Sequence, residues 1–395
     1  MRGLPLNLLS ALLTAALVFA PLTANAALEY DRSVVDTPRR VYATDPDDAW
    51  SRSGMIQFDE FITQIARADV VFLGEYHDDP ATHRLQLDIF KALYYARQGR
   101  ISLGMEQFER DVQPVIGTYL ANGLTEDEFL AESRPWPNYD RDYRPLVEYC
   151  REMCLPVVAT NCPRPLASKI AKEGYEVAWD SYTADERMWL CRETTHPRDA
   201  YWQLFSGLMG GGGHGMGIDE EVVANYYAAQ CLKDDTMAES ISLQLESIPY
   251  RLVVHTNGSF HSDYGLGTVS RVKTRLPLSR VVTVAIRPVD SWNGIDLTAE
   301  DFLPEALPDA AVEGYGQPLR VADYIIYVQS PDWGSADPVP ARPVVEDPHA
   351  GMEMPAMPPA KDPEAEEPPA GMPGMGDDGN EDEPETDAKS GATPK

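Results

Sequence analysis

Apolar positions in this chain fall into short unbroken runs separated by stretches with helical spacing. The runs are Val70–Leu73, Ile101–Met105, Leu155–Thr160, Arg251–Thr256, Val281–Ile286 and Tyr324–Val328, with a small Val41–Ala43 ahead of them. Runs of this length read as buried strands. Between them, Phe58, Phe61, Ile62 and Ile65 make one helical face, and Asp79-Pro80 opens a helix over 80–98. Further helices are expected near 109–121, 125–132 and 143–153, and after Pro163. Residues 183–247 read as mostly helical, broken by Gly210 to Gly213. Strands that alternate with helices pair in parallel and are covered on both faces. The pattern therefore predicts a three-layer α/β fold with a mostly parallel sheet, helices on both faces and a helical insertion.

Parallel strands joined by right-handed crossovers bring their C-terminal ends to one edge, where open α/β sheets bind ligands. The polar residues just beyond those ends are Glu75 and His77, Glu106, Asn161 and Arg164, and His261. Two of the ends share a pattern, an apolar strand followed by Gly-x-x-His: Gly74 to His77 and Gly258 to His261. Two imidazoles and a carboxylate suit a borderline divalent ion with positions left for water, so His77, Glu106 and His261 are the candidate metal ligands, with Glu106 reaching in from between the histidines. Glu75 is then either a general base on that water or the group that orients the His77 ring. Asn161, Arg164 and His83 are candidates for holding a substrate or ligand, Arg164 by pairing with a carboxylate. The alternative is that each histidine packs in a polar layer and binds nothing.

Composition narrows the setting. Arg2 is the sole charge ahead of an apolar stretch, Leu4 to Leu22, and Ala24-Asn25-Ala26 fits a small-x-small cleavage site. Residues 1–26 are therefore expected to be a removed signal peptide, with the mature protein periplasmic or secreted. No cysteine lies at the cleavage point to carry a lipid, and no later stretch is long and apolar enough to span a bilayer. The net charge of −30 argues against nucleic acid as a partner. The folded part is expected over residues 27–331, and the Pro-, Glu-, Asp- and Met-rich stretch 332–395 is expected to be a disordered acidic tail. Five cysteines in an oxidising compartment suggest up to two disulfides and one leftover thiol, with no pairing fixed by spacing. The loop around His214, with Met209 and Met216, offers soft ligands but reads first as a mobile loop. Tyr139, Tyr143, Tyr226 and Tyr227 are possible haem ligands whose default role is helix packing.

Several motifs together resemble the ChaN-like haem-binding uptake proteins of the Tiki superfamily, over about residues 35–330. They are Leu73-Gly74-Glu75-Tyr76-His77-Asp78 with His83 and Gln86, Met105-Glu106-Gln107-Phe108, Asn161-Cys162-Pro163-Arg164, Leu232 to Glu239, and Gly258-Ser259-Phe260-His261. The resemblance implies an α/β fold, haem binding and a part in haem or iron acquisition. Tiki relatives are metal-dependent proteases with paired Gly-x-x-His motifs and a glutamate, which match His77, His261 and Glu106 here. ChaN proteins are often lipoproteins, and this chain departs from that pattern. Three functions follow: a secreted haem- or iron-binding protein, a metal-dependent hydrolase at the same cluster, or an interaction protein with a dead site. The expected cofactor is haem or a divalent ion. The expected partners are haem or a small-molecule or peptide ligand, with a homodimer left open.

Overall fold

The computed structural model describes residues 37, 39–44, 55–210, 219–289 and 319–330. The leader, the tail and the 211–218 loop with His214 and Met216 lie outside the described residues.

The elements follow in chain order: β1 (Arg39–Ala43), β2 (Met55–Ile56), α1 (Phe58–Ile65), β3 (Val70–Glu75), α2 (Pro80–Ala96), β4 (Ile101–Glu109), α3 (Gln113–Leu120), α4 (Glu126–Ser133), α5 (Tyr139–Asp142), α6 (Arg144–Glu152) and β5 (Val157–Asn161). They continue as α7 (Arg164–Glu173), α8 (Tyr175–Ser181), α9 (Ala184–Met188), α10 (Ala200–Gly210), α11 (Glu220–Ser247), β6 (Leu252–Gly258), α12 (Gly267–Arg275), β7 (Val281–Val289) and β8 (Tyr324–Gln329). Eight strands form one sheet in the order β2-β1-β8-β7-β3-β6-β4-β5. The central pairs are parallel, and β1 runs antiparallel to both β2 and β8. The expected three-layer, mostly parallel α/β fold is observed.

Both faces of the sheet are covered, which explains the unbroken apolar runs. Val71 and Leu73 join a large core with Phe61, Leu85, Phe90 and Tyr143 on one side. Val70, Phe72 and Val253 join Ala238 and Ile241 of α11 and Val269 of α12 on the other. A strand buried on both faces has no polar alternation to show. At the end of β3 the chain turns into α2, where Asp79 caps the helix by accepting from Thr82 N at 2.8 Å and Pro80 occupies the first turn. Thr125 and Glu128 form a capping box that starts α4. The helical insertion between β5 and β6 comprises α7 to α11, and α11 lies along α7, α12 and β5.

Three expectations change. The two-residue β2 escapes periodicity because a pair of residues has no pattern to read. The second strand runs on past Met105 to Glu109, with an irregular register against β5 between those residues. Lateral bonds hold that extension, with Thr160 Oγ1 donating to Met105 O at 2.8 Å and Asn161 Nδ2 to Glu106 O at 3.1 Å. No disulfide forms, since all five cysteines are free thiols. Cys150 sits in the large core, Cys162 and Cys191 in a cluster under α7 and α11, and Cys231 beside Tyr227. They behave as small apolar side chains, and burial pushes the thiols of Cys162 and Cys191 up to about 12.

Gly104 sits where the His255 ring of the neighbouring strand crosses β4. A Cβ there would lie 2.9 Å from His255 Cδ2, with Thr160 and Val253 just beyond. Gly104→Ala should therefore destabilise the fold by about 1–3 kcal/mol. Denaturant titration checks this, and an unchanged midpoint would show that His255 moves aside at no cost.

Candidate functional site

Parallel register builds the site. Glu75 at the end of β3 lies abreast of Gly258 at the end of β6, and Met105 of β4 lies abreast of Thr256. The order β3-β6-β4 puts the second Gly-x-x-His between the other two strand ends. Glu106 therefore approaches from the flank and not from between the histidines, because β6 takes the middle place.

Glu75 is buried and accepts four hydrogen bonds: from Gln86 Nε2 at 2.6 Å, Tyr143 Oη at 2.7 Å, Gln107 Nε2 at 2.9 Å and His77 Nδ1 at 3.0 Å. Burial pushes its carboxyl up, but the charges of His83 and His77 and these bonds outweigh it and hold the pKa below the ordinary value. Of the two roles open to Glu75, the contacts give orientation of the His77 ring. Three of the donors meet Oε1 and one meets Oε2.

His77 keeps 31% of its side chain in solvent. Its ring meets Trp136 edge to face, with centroids 4.9 Å apart. A Cβ on Gly258 would stand 2.8 Å from His77 Nε2, so only glycine lets the ring settle there. Burial lowers the imidazole pKa, and Glu75 and Glu106 more than restore it, leaving it raised.

His261 is held differently. Its Nδ1 lies 2.7 Å from Asp234 Oδ1 and its Nε2 lies 3.2 Å from Glu106 Oε1. Against burial, the two carboxylates push its pKa up to about 10, so the ring is an imidazolium near neutrality. Glu106 also accepts from the Gly258 amide at 2.7 Å, and its carboxyl is held far below the usual range despite burial. Asp234 is fixed by Thr268 Oγ1 at 2.7 Å, and its pKa is lowered by His261 and Arg271 against the effect of burial.

The predicted residues His77, Glu106 and His261 thus meet around Gly258, with Glu106 and His261 joined by a charge-assisted hydrogen bond. Among the described residues no group of three His, Cys, Asp or Glu side chains is arranged to hold a metal ion. At His261 both ring nitrogens are directed at carboxylates, Nδ1 at Asp234 and Nε2 at Glu106. His83, expected at the opening, is buried beneath it. It donates Nε2–H to His77 O at 2.9 Å and packs on Tyr143, so it braces the turn that carries His77. Asn161 spends its amide on Glu106 O and the Cys162 N–H, which ties β5 to β4. Arg164 lines a cleft beside the cluster together with Glu106, Glu109, Trp136, Asn161, Cys162 and Lys233. Of the candidate tyrosines, Tyr143 donates to Glu75, Tyr227 donates to Pro197 O, and Tyr139 is buried.

Sequence reasoning did not single out Asp234, Gln107, Trp136 or Lys233, and it named Tyr143 for a different role, as a possible haem ligand. Gln107 and Asp234 lie inside the motifs already singled out, but nothing local shows which way they point. Tyr143 and Trp136 belong to a segment with no motif.

Beneath the site, His255 spans from Thr160 Oγ1 at 2.9 Å to Asn257 Oδ1 at 3.1 Å. Burial lowers its pKa to about 4, although Asn257 and the charge of Glu106 favour the proton. Between pH 6.5 and 4 the unfolded chain takes up a proton here that the folded chain refuses, so this residue's share of stability is full above pH 6.5 and is lost as pH falls toward 4. Its ring resonances should stay those of a neutral imidazole until the pH nears 4. A midpoint near 6.5 by NMR would show that the site is hydrated.

Comparison with known proteins comes to the same region. The family described as haem-binding uptake, Tiki superfamily, ChaN matches residues 61–272, a span that contains every residue of the cluster. Among solved structures, the fold is similar to ChaN of Campylobacter jejuni, whose structure is described as showing cofacial haem binding. The TM-score is 0.50 at 16% identity, covering 73% of this chain and 96% of that one. A mutant of the erythromycin esterase EreC in its open conformation aligns with a TM-score of 0.37 at 12% identity, covering 74% of this chain and 83% of that one. Protein RETICULATA-RELATED 5, chloroplastic, of Arabidopsis thaliana is 22% identical over 275 residues, which are 66% of this chain. The match spans 35% of that relative's length.

Proposed function

The chain belongs to the ChaN family of haem-binding uptake proteins in the Tiki superfamily, and from that premise we propose that it is a periplasmic or secreted protein that binds haem at the strand-end cleft and serves haem or iron acquisition. The observation that carries the reading is the family match over residues 61–272 falling on strand ends where the partly exposed His77 ring packs on Trp136, a wall of the cleft. His77 presents its ring at the opening against Trp136, and Glu75 bonds its Nδ1. A carboxylate on the far nitrogen makes an imidazole a stronger donor and fixes its orientation, as histidines that hold metals commonly require. Trp136 supplies an apolar wall for a flat macrocycle. His261, held by a carboxylate at each ring nitrogen, shapes the electrostatics beside the cleft. The leader and the localisation enter this reading from the sequence alone.

Haem added to the purified protein should give an intense visible absorption band with a saturable titration, and His77→Ala should weaken binding by about tenfold or more. Absence of any such band in the wild-type protein sinks the reading.

A second reading rests on one further observation. His77 and His261 are each backed by a carboxylate, Glu75 at 3.0 Å and Asp234 at 2.7 Å, and Glu106 meets His261 Nε2 at 3.2 Å. An imidazolium and a second imidazole of different environment make an acid and a base for water attack on an ester or amide. In that case the wild-type protein should turn over activated esters, and His261→Gln should lower the rate by about 10²-fold or more. Identical rates for wild type and variant would remove hydrolysis from consideration.

A further inference from the structure

We infer that residues 134–138 form a gate over this site, latched shut by Arg134 on Glu109 and Asp111, and that a ligand enters the cleft beside His77 only when the gate lifts. The inference rests on the reading above that a ligand comes to this cleft, and adds how its entry is controlled. The cleft, lined by Glu106, Glu109, Trp136 and Arg164 among others, has space for about 20 Å³, roughly one water molecule. His77 Nδ1 is at Glu75, and its Nε2 lies so near Gly258 that a Cβ there would stand 2.8 Å away. Trp136 is 9% exposed, covers the His77 ring edge to face at 4.9 Å and meets Tyr143 at 5.8 Å. A molecule larger than water therefore enters only if Trp136 moves.

The segment that carries Trp136 is pinned at its two ends and stiff between them. Arg134 ends α4 in the left-handed region, at φ +50°, where the chain leaves the helix sharply. Its Nη2 donates to Asp111 at 2.6 and 2.7 Å and to Glu109 at 2.9 Å. Glu109 is the last residue of β4, the strand that carries Glu106, so this contact draws the segment down over the cluster. At the other end, Asn138 donates from Nδ2 to His77 O and to Asp142, each at 2.8 Å, just before α5. Pro135 and Pro137 flank Trp136. Each proline fixes its own φ, restricts the residue before it and has no N–H to give to a neighbouring element, so the three residues move together. The two ends hold differently. The Asn138 bonds are partly buried, whereas the Arg134 side chain is 46% exposed. Ion pairs at that exposure are weak and are screened by salt. Asn138 is therefore the hinge and Arg134 the latch.

The test reads the exposure of Trp136 directly, by hydroxyl-radical footprinting of the full chain with mass-spectrometric mapping and Trp179 of α8 as the internal reference. Arg134→Asn removes the latch and keeps a residue that accepts the left-handed conformation. Oxidation of Trp136 relative to Trp179 should rise about two- to fivefold in the variant at low salt, the range that loss of exposed ion pairs produces. Wild-type protein moved to about 1 M salt, where charges are screened within about 3 Å, should show the same rise, and the variant should show none beyond its own. The salt arm needs no variant to fold. An unchanged ratio in either arm overturns the gate, whether or not haem binds. Haem should also associate with the variant faster by the same factor, and an unchanged association rate in a variant with exposed Trp136 overturns the control of entry. If haem does not bind at all, the reading above falls and the footprint alone judges the gate.

Discussion

The buried carboxylate of Glu75 is the constraint on which the rest of the site depends. Its four donors come from α2, from β4, from the turn before α6 and from the turn that follows β3 itself. An ionised carboxylate out of contact with water is costly unless it is well hydrogen-bonded, and here three donors meet Oε1 and one meets Oε2, each from a different part of the chain. Satisfying Glu75 therefore fixes where Gln86, Gln107, Tyr143 and His77 stand. Removing the carboxylate would leave several buried donors without an acceptor at once, which costs far more than one lost hydrogen bond. His83 and Asn138 complete the arrangement by donating to His77 O at 2.9 Å and 2.8 Å.

Two histidines with the same local motif end in different chemical states. His77 has one carboxylate at its Nδ1 and a share of solvent. His261 has a carboxylate at each nitrogen and almost no solvent. The difference arises from the strands next door. The β6 turn lies between β3 and β4, so His261 receives Glu106 from β4 and Asp234 from α11, while His77 faces outward past Gly258. A pair of equivalent metal ligands becomes one fixed cation and one accessible imidazole.

The sequence alone was enough for the fold class. Uninterrupted runs such as Val70 to Leu73 demand burial on both faces, and only a helix-covered parallel sheet provides it. It was also enough to name Glu75, His77, Glu106 and His261 as neighbours, because parallel strands present their ends on one edge whatever the details of packing. Family membership was legible in the motifs at those same ends.

What the tertiary structure decided was the state of those residues. Which strand sits in the middle depends on long-range pairing across the helical insertion, and that order moved Glu106 to the flank. The partners that set each charge, Asp234 on α11, Gln107 on β4 and Tyr143 before α6, lie from 27 to 68 residues away from the groups they bond. Local patterns record how a residue's own segment is buried, and they do not record what a distant helix brings to it. The cysteines show the same limit. Their number and the apparent compartment pointed to disulfides, but four of the thiols are placed by the core cluster their helix or turn faces, and Cys154 is exposed. Hydrophobic periodicity is a one-segment property and survives in the sequence, whereas charge state and pairing are properties of contacts, and contacts exist only once the chain is folded.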